Sequence, residues 1–246
     1  MNSNALKSIL PPVVYNALLR FRLERSARRM FPDEGSLQDR VGYVAYKYCL
    51  EQAAYFAKQG EWDNRVLAAG QDLALPVPDW LFPWHAPALK EIEGLSRDVR
   101  ILDICCGIPT FLEALYKLGF TKLHGTDDNS FMPLVVDAAR EYCQISGVPA
   151  RIFDVRTSYA GDYREILKTE APFDVITNFG VATVLYFPIV SELMAEGGLF
   201  ISETYFEEVP AEFRDKFEMV RVYSEYGFRL KKFSGTGSVA VFRKKS

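Results

Sequence analysis

The chain has 246 residues, 49% hydrophobic and 25% charged, with a formal net charge of -3 at pH 7. That length suits one α/β unit with an added helical piece, and the composition excludes a disordered or fibrous chain. The weak acidity argues against a nucleic-acid partner, whose domain normally carries a basic surplus. Cys49, Cys105, Cys106 and Cys143 lack the paired spacings of a zinc site, and no leader-like or disulfide-dense pattern accompanies them. A cytoplasmic protein without a metal is therefore expected, and no apolar run approaches the roughly 20 residues needed to cross a bilayer.

In chain order, Pro11-Pro12 opens a helix to about Phe31, and Ser36-Leu-Gln-Asp39 resembles a capping box for a second helix to about Lys58. Residues 1–31 are locally basic, with Lys7, Arg20, Arg22, Arg25, Arg28 and Arg29 against the single acid Glu24. Tyr15, Leu19, Leu23, Ala27 and Met30 share one helical stripe and Arg22, Arg25 and Arg29 another. Such a helix suits the face of an anionic membrane, and it equally suits packing on its own domain or on a second subunit of a homo-oligomer. The segment Leu75-Pro-Val-Pro-Asp-Trp-Leu-Phe-Pro-Trp84 combines prolines that forbid a regular helix with aromatics that demand burial, so an ordered loop is expected. Residues 1–97 thus read as a helical cap with an aromatic loop, and 98–246 as the sheet unit.

From Asp98 onward, short β-branched runs alternate with stretches of helical length, the pattern of βαβ units building a doubly wound, mostly parallel sheet. Strands are expected at Val99 to Ile104, Leu123 to Thr126, Ala150 to Phe153, Phe173 to Asn178 and Leu199 to Thr204. The intervening helices run from Pro109 to Leu118, Pro133 to Ser146, Tyr163 to Lys168 and Phe187 to Ala195, the last ended by Gly197-Gly198. Phe228 to Phe233 and Ser238 to Arg243, joined by Gly235-Thr-Gly237, read as an antiparallel C-terminal hairpin.

The chemistry concentrates where the first strand ends in Asp103-Ile-Cys-Cys-Gly-Ile-Pro109. A strand-turn-helix of this kind presents backbone N-H groups to a ligand in the crevice, and Gly107 permits both an unusual backbone angle and close approach. Asp127 ends the second strand, where a carboxylate can accept both ribose hydroxyl hydrogens, and Asp154 ends the third. Three successive strands ending in aspartate are a stronger signal than any one of them.

These residues resemble the class I, Rossmann-like S-adenosylmethionine-dependent methyltransferases, whose first motif is an acid followed by a turn of the type D-x-G-x-G-x-G. Here Asp103, Cys105, Gly107 and Pro109 stand in that register, with only the middle glycine retained. The resemblance runs from about Asp98 to Lys244 and includes Phe173-Asp-Val-Ile-Thr-Asn178 and Gly197-Gly-Leu-Phe-Ile-Ser202. It implies S-adenosylmethionine as cofactor, with Asp103 and the backbone of Cys105, Cys106 and Gly107 at its methionine moiety. Asp127 would hold the ribose, Asp154 the adenine, and Asn178 would line the site near the reactive methyl. A nicotinamide cofactor is disfavoured, since its pyrophosphate needs the first glycine that Cys105 replaces. Residues 8–22 also resemble the openings of methyltransferases of bacterial surface-polysaccharide synthesis.

The resemblance implies methylation of a small-molecule or glycan-linked hydroxyl, for which a base is needed. His85, after the aromatic loop, is the candidate catalytic base, with a helix-start role as its alternative. Glu203 is a second candidate, with a solvated strand-end carboxylate as the default, and His124 reads as structural. A non-catalytic binding subunit of the same fold is the competing function, suggested by the irregular turn.

Overall fold

In the computed structural model of the protein, the structure describes residues 85–129, 135–156, 163–179, 186–204, 209–224 and 238–246, with Val14 before them. The two expected N-terminal helices and the aromatic loop lie outside the described residues, apart from the helical, exposed Val14. The first described element is helix α1, His85–Ile92. Strand β1, Ile101–Ile104, leads into α2, Thr110–Lys117, and β2, Leu123–Asp127, into α3, Val135–Ser146. Strand β3, Arg151–Asp154, precedes α4, Arg164–Thr169, and β4, Phe173–Asn178, precedes α5, Phe187–Leu193. Strands β5, Met194–Thr204, β6, Phe217–Tyr223, and β7, Ser238–Lys244, complete the order.

The strands form one sheet in the order β3-β2-β1-β4-β5-β7-β6. Pairing is parallel from β3 to β5, and β7 runs antiparallel to both β5 and β6. Because side chains alternate across a strand, each strand feeds two cores. Ile101, Val175 and Ile201 join the core that contains α1, α2 and α3, while Leu102, Ile176 and Phe200 join the one on the α4 and α5 face. This two-sided burial explains why β1 and β2 carry no exposed position.

The helices follow from their apolar spacing. In α3 the buried residues are Val135, Val136, Ala138, Ala139, Tyr142 and Cys143, one continuous helical stripe against the sheet. In α2, Phe111, Leu112, Ala114 and Leu115 are buried, and Lys117 bridges Glu113 one turn back at 2.7 Å on the outer side. On the opposite face the Phe187 ring meets Phe200, Phe217 and Phe242 at centroid distances of 5.5, 5.4 and 5.2 Å, which ties α5 to the last three strands.

Two sequence expectations are corrected. The hairpin partner of β7 is Phe217–Tyr223 rather than 228–233, which lies outside the described residues. Helix α5 also stops at Leu193, before Gly197-Gly198, because Lys244 Nζ donates to the carbonyls of Ser191 and Met194 at 2.8 and 2.7 Å. The two glycines instead make the irregular start of β5, where a Cβ on Gly198 would lie 2.9 Å from the Asp174 carbonyl oxygen.

Candidate active site

The strand order reverses at β1, which has β2 on one side and β4 on the other, opening a crevice at the carboxyl ends of these strands. The turn after β1 holds Cys105 at φ 60 and Gly107 at φ 53, two left-handed residues close together. Only one of them is a glycine, so Cys105 carries local strain of the kind that persists where a site needs it. The Cys106 N-H donates to Thr126 O at 2.9 Å, which fastens the turn across the end of β2.

Asp127 is built into this turn. Its Oδ2 accepts the Gly107 N-H and its Oδ1 the Asp128 N-H, each at 2.8 Å. A carboxylate offers about four lone-pair positions, so two remain for a ligand. Burial pushes Asp127 up to about 6, against the opposing pull of the two N-H bonds. Asp103 is only 3% exposed and accepts from Thr177 Oγ1 at 2.7 Å. Burial raises it to about 7, the Thr177 bond opposing and the Asp127 charge adding to the rise. The same desolvation keeps the thiols of Cys105 and Cys106 protonated.

Asp154 stands exposed at the end of β3, paired in register with Asp127. It is clamped by Asn129, whose backbone N-H reaches Oδ1 at 3.2 Å and whose Nδ2 reaches Oδ2 at 3.1 Å. Asn129 Oδ1 accepts the Val136 N-H at 3.0 Å, so one side chain ties the third-strand acid to the start of α3. Sequence reasoning missed Asn129. Its only signal was its place two residues after a strand-end acid.

Asn178 closes β4 and is wholly buried. Its Nδ2 donates to Ile104 O at 3.1 Å, which also fixes which end of the amide is oxygen, and Oδ1 has no hydrogen-bond partner. Ser202 Oγ holds the Asn178 carbonyl at 3.0 Å. The predicted residues Asp103, Cys105, Cys106, Gly107, Asp127 and Asn178 therefore gather at the carboxyl ends of β1, β2 and β4, with Asp154 at the end of the neighbouring β3.

His85 does not stand in a loop. It starts α1 and packs between Phe111 and Phe179 at centroid distances of 5.0 and 4.8 Å. Burial lowers it to about 3, so it is neutral and a weak base. Glu203 is 4% exposed rather than solvated, and it alternates to the sheet face opposite Ser202. His124 sits within β2, near Glu170 Oε2 at 3.1 Å, away from the crevice.

No family model matches the chain, and no curated protein matches it in sequence. Solved structures do match in fold. TrmN from Thermus thermophilus aligns at 20% identity and TM-score 0.48, over 67% of this chain and 49% of that one, about half its length. A tRNA methyltransferase, TrmI from Aquifex aeolicus, aligns at 13% identity and TM-score 0.47, over 73% of this chain and 76% of that one. A mutant of MtNAS in complex with S-adenosylmethionine aligns at 14% identity and TM-score 0.50, over 91% of this chain and 84% of that one. The fold is the Rossmann-like methyltransferase fold, with an antiparallel pair ending a mostly parallel sheet.

The expectation that the chain has no nucleic-acid partner is withdrawn, since a tRNA methyltransferase is among the matches. The physical reason is that net charge over a whole chain does not report the charge of one surface. Nothing in these matches supports the polysaccharide-enzyme resemblance at residues 8–22, which lie outside the described residues but for Val14. Among the described residues no helix is long and apolar enough to cross a membrane.

Proposed function

We propose that the chain is an S-adenosylmethionine-dependent methyltransferase. The observation that carries this reading is the row of acids at the ends of β1, β2 and β3, joined by the Gly107 N-H to Asp127 bond. Adjacent strands lie about 4.8 Å apart, so the row spans roughly 10 Å, the reach of a nucleoside with its side chain. The residues fit the cofactor on two counts. Asp127 keeps two acceptor positions for vicinal hydroxyls, and the turn places the part-exposed Cys105 and the side-chain-free Gly107, both left-handed, beside it.

In this reading Asp127 binds the ribose and Asp154, held by Asn129, takes the adenine amine. Asp103, steadied by Thr177, faces the positively charged methionine end. When bound, the cofactor supplies a methyl group already activated by its sulfonium. The chain's own task is then to hold the acceptor in line and exclude water. The buried, preorganised groups at the ends of β1 and β4 suit that task.

Calorimetry with S-adenosylmethionine tests the reading. Binding at micromolar to submillimolar cofactor is expected, and no heat at millimolar concentration would overturn it.

A further inference from the structure

The parallel ladder between β2 and β3 ends in an exchange of partners. The Val155 N-H donates to the Asp127 carbonyl at 2.9 Å, as the register of Asp127 with Asp154 requires. The next bond of such a ladder would run from the Asn129 N-H to the Val155 carbonyl. That N-H goes instead to the Asp154 side chain, where Oδ1 accepts it at 3.2 Å while Asn129 Nδ2 donates to Oδ2 at 3.1 Å. Asn129 Oδ1 in turn takes the Val136 N-H at 3.0 Å. This last bond settles which end of the amide faces Asp154, and it holds the Asn129 side chain from α3.

The clamp matters because of where Asp154 stands. Among the described residues β3 is an edge strand of four residues paired with β2 alone, and Asp154 is exposed at its end. A carboxylate there turns in water unless something fixes it, and a ligand that bound it would have to order it first. Asn129 does so in advance, with one donor on each oxygen. A carboxylate offers about four lone-pair positions, and the clamp takes two, so each oxygen keeps one acceptor position in a set direction. Such a group receives an N-H and offers nothing to a carbonyl oxygen, which would face an anionic oxygen. A residue that served only to cap α3 would need its side-chain oxygen alone, and aspartate would do as well there as asparagine.

We propose that Asn129 sets the base selectivity of the cofactor site: as a positioning residue acting through Asp154, it makes the site take a 6-aminopurine nucleoside and turn away a 6-oxopurine. This rests on the methyltransferase reading and deepens it at the base. The nitrogen that gives the selectivity is Asn129 Nδ2, and the oxygen of the same amide is spent on α3.

The test compares S-adenosylhomocysteine with S-inosylhomocysteine on the full chain by calorimetry. The two carry the same charge and differ in the six-membered ring of the purine, with an amine at C6 in the first and a carbonyl oxygen in the second. A site built to receive an N-H rejects the analogue without it, so the wild type is expected to prefer S-adenosylhomocysteine by about tenfold or more. Asn129→Asp keeps an oxygen for the Val136 N-H but turns an oxygen instead of a donor toward Asp154. It is expected to lose most of that preference while its melting temperature stays level or rises. No preference in the wild type, or a preference that Asn129→Asp keeps in full, overturns the inference and leaves the cofactor reading standing. Failure of S-adenosylhomocysteine to bind the wild type overturns the two together. Should Asn129→Asp fail to fold, Asn129→Ser decides, because it retains the backbone N-H and a capping oxygen and lacks Nδ2. Loss of the preference in that variant supports the inference, and its retention overturns it.

Discussion

At Asp127 one carboxylate serves both the turn and the ligand. Asp127→Asn keeps the shape but loses the charge and the strength of both N-H bonds. Cofactor affinity measured by calorimetry is expected to fall by more than roughly tenfold, the scale of a charge-assisted bond. An unchanged Kd in a folded variant would count against the site. The pH dependence follows from the same residue and its neighbour. Asp103 and Asp127 stand at about 7 and about 6 against an ordinary 3.8, so the folded protein holds protons that the unfolded chain releases. In the ligand-free protein their stabilising protonated form is complete at low pH and is lost as the pH rises through 6 to 7. A positively charged cofactor favours the ionised acids, so the thermal shift it produces should grow from about pH 5 to about pH 8. A shift that stays flat over that window would mean the two acids do not face the ligand's charge. His85→Phe is expected to bind cofactor like the wild type, since the imidazole already sits as one ring between two others; a tenfold or greater loss would restore it to the site.

Packing between neighbouring elements is tight where the turn crosses β2. A Cβ on Gly125 would come within 2.8 Å of both Cys106 Sγ and Ile152 Cδ1. Gly125→Ala should therefore cost about 1–3 kcal/mol by overpacking, read as a lower melting temperature. A gain in stability would mean that the turn gives way easily. It is at this level that the sequence was most and least informative. The five parallel strands and their terminal acids were legible because buried strands read as short β-branched runs, and Asp103, Asp127 and Asp154 stand where those runs stop. Asn129 and Ser202 were not, because their meaning lies in which strand lies beside them, a choice that local pattern does not contain. The hairpin was misplaced for a related reason. The glycines at 235 and 237 gave a strong turn signal for 228–233, while Phe217–Tyr223 is interrupted by Glu218 and Arg221 and has Phe217, set against Phe187, as its one fully buried residue.

Over the whole molecule, α1 belongs to the sheet unit in packing terms. Ala88, Leu89 and Ile92 lie in the same core as Phe111 and Val175. Burying a large aliphatic side chain contributes about 1.5–3 kcal/mol, so losing Leu89 and Ile92 removes a large part of a margin that is typically 5–15 kcal/mol. We expect a chain starting at Asp98 to be insoluble and one retaining α1 to fold, as judged by size exclusion and circular dichroism. Equal folding of the two would make 97/98 the true boundary. Residues 1–31 carry the separate expectation of membrane contact, which liposome co-sedimentation of the full chain and of a chain lacking them would decide. The order of the last three strands has a consequence for how the molecule is made. Strand β7 follows β6 in the chain yet lies between β5 and β6, so neither has a partner on that side until β7 arrives. As the chain leaves the ribosome, β5 therefore presents a bare, apolar edge through the synthesis of some forty residues, the state in which strands find wrong partners. The sheet closes from its far end inward, and Val239 to Phe242 are the stitch that draws it shut.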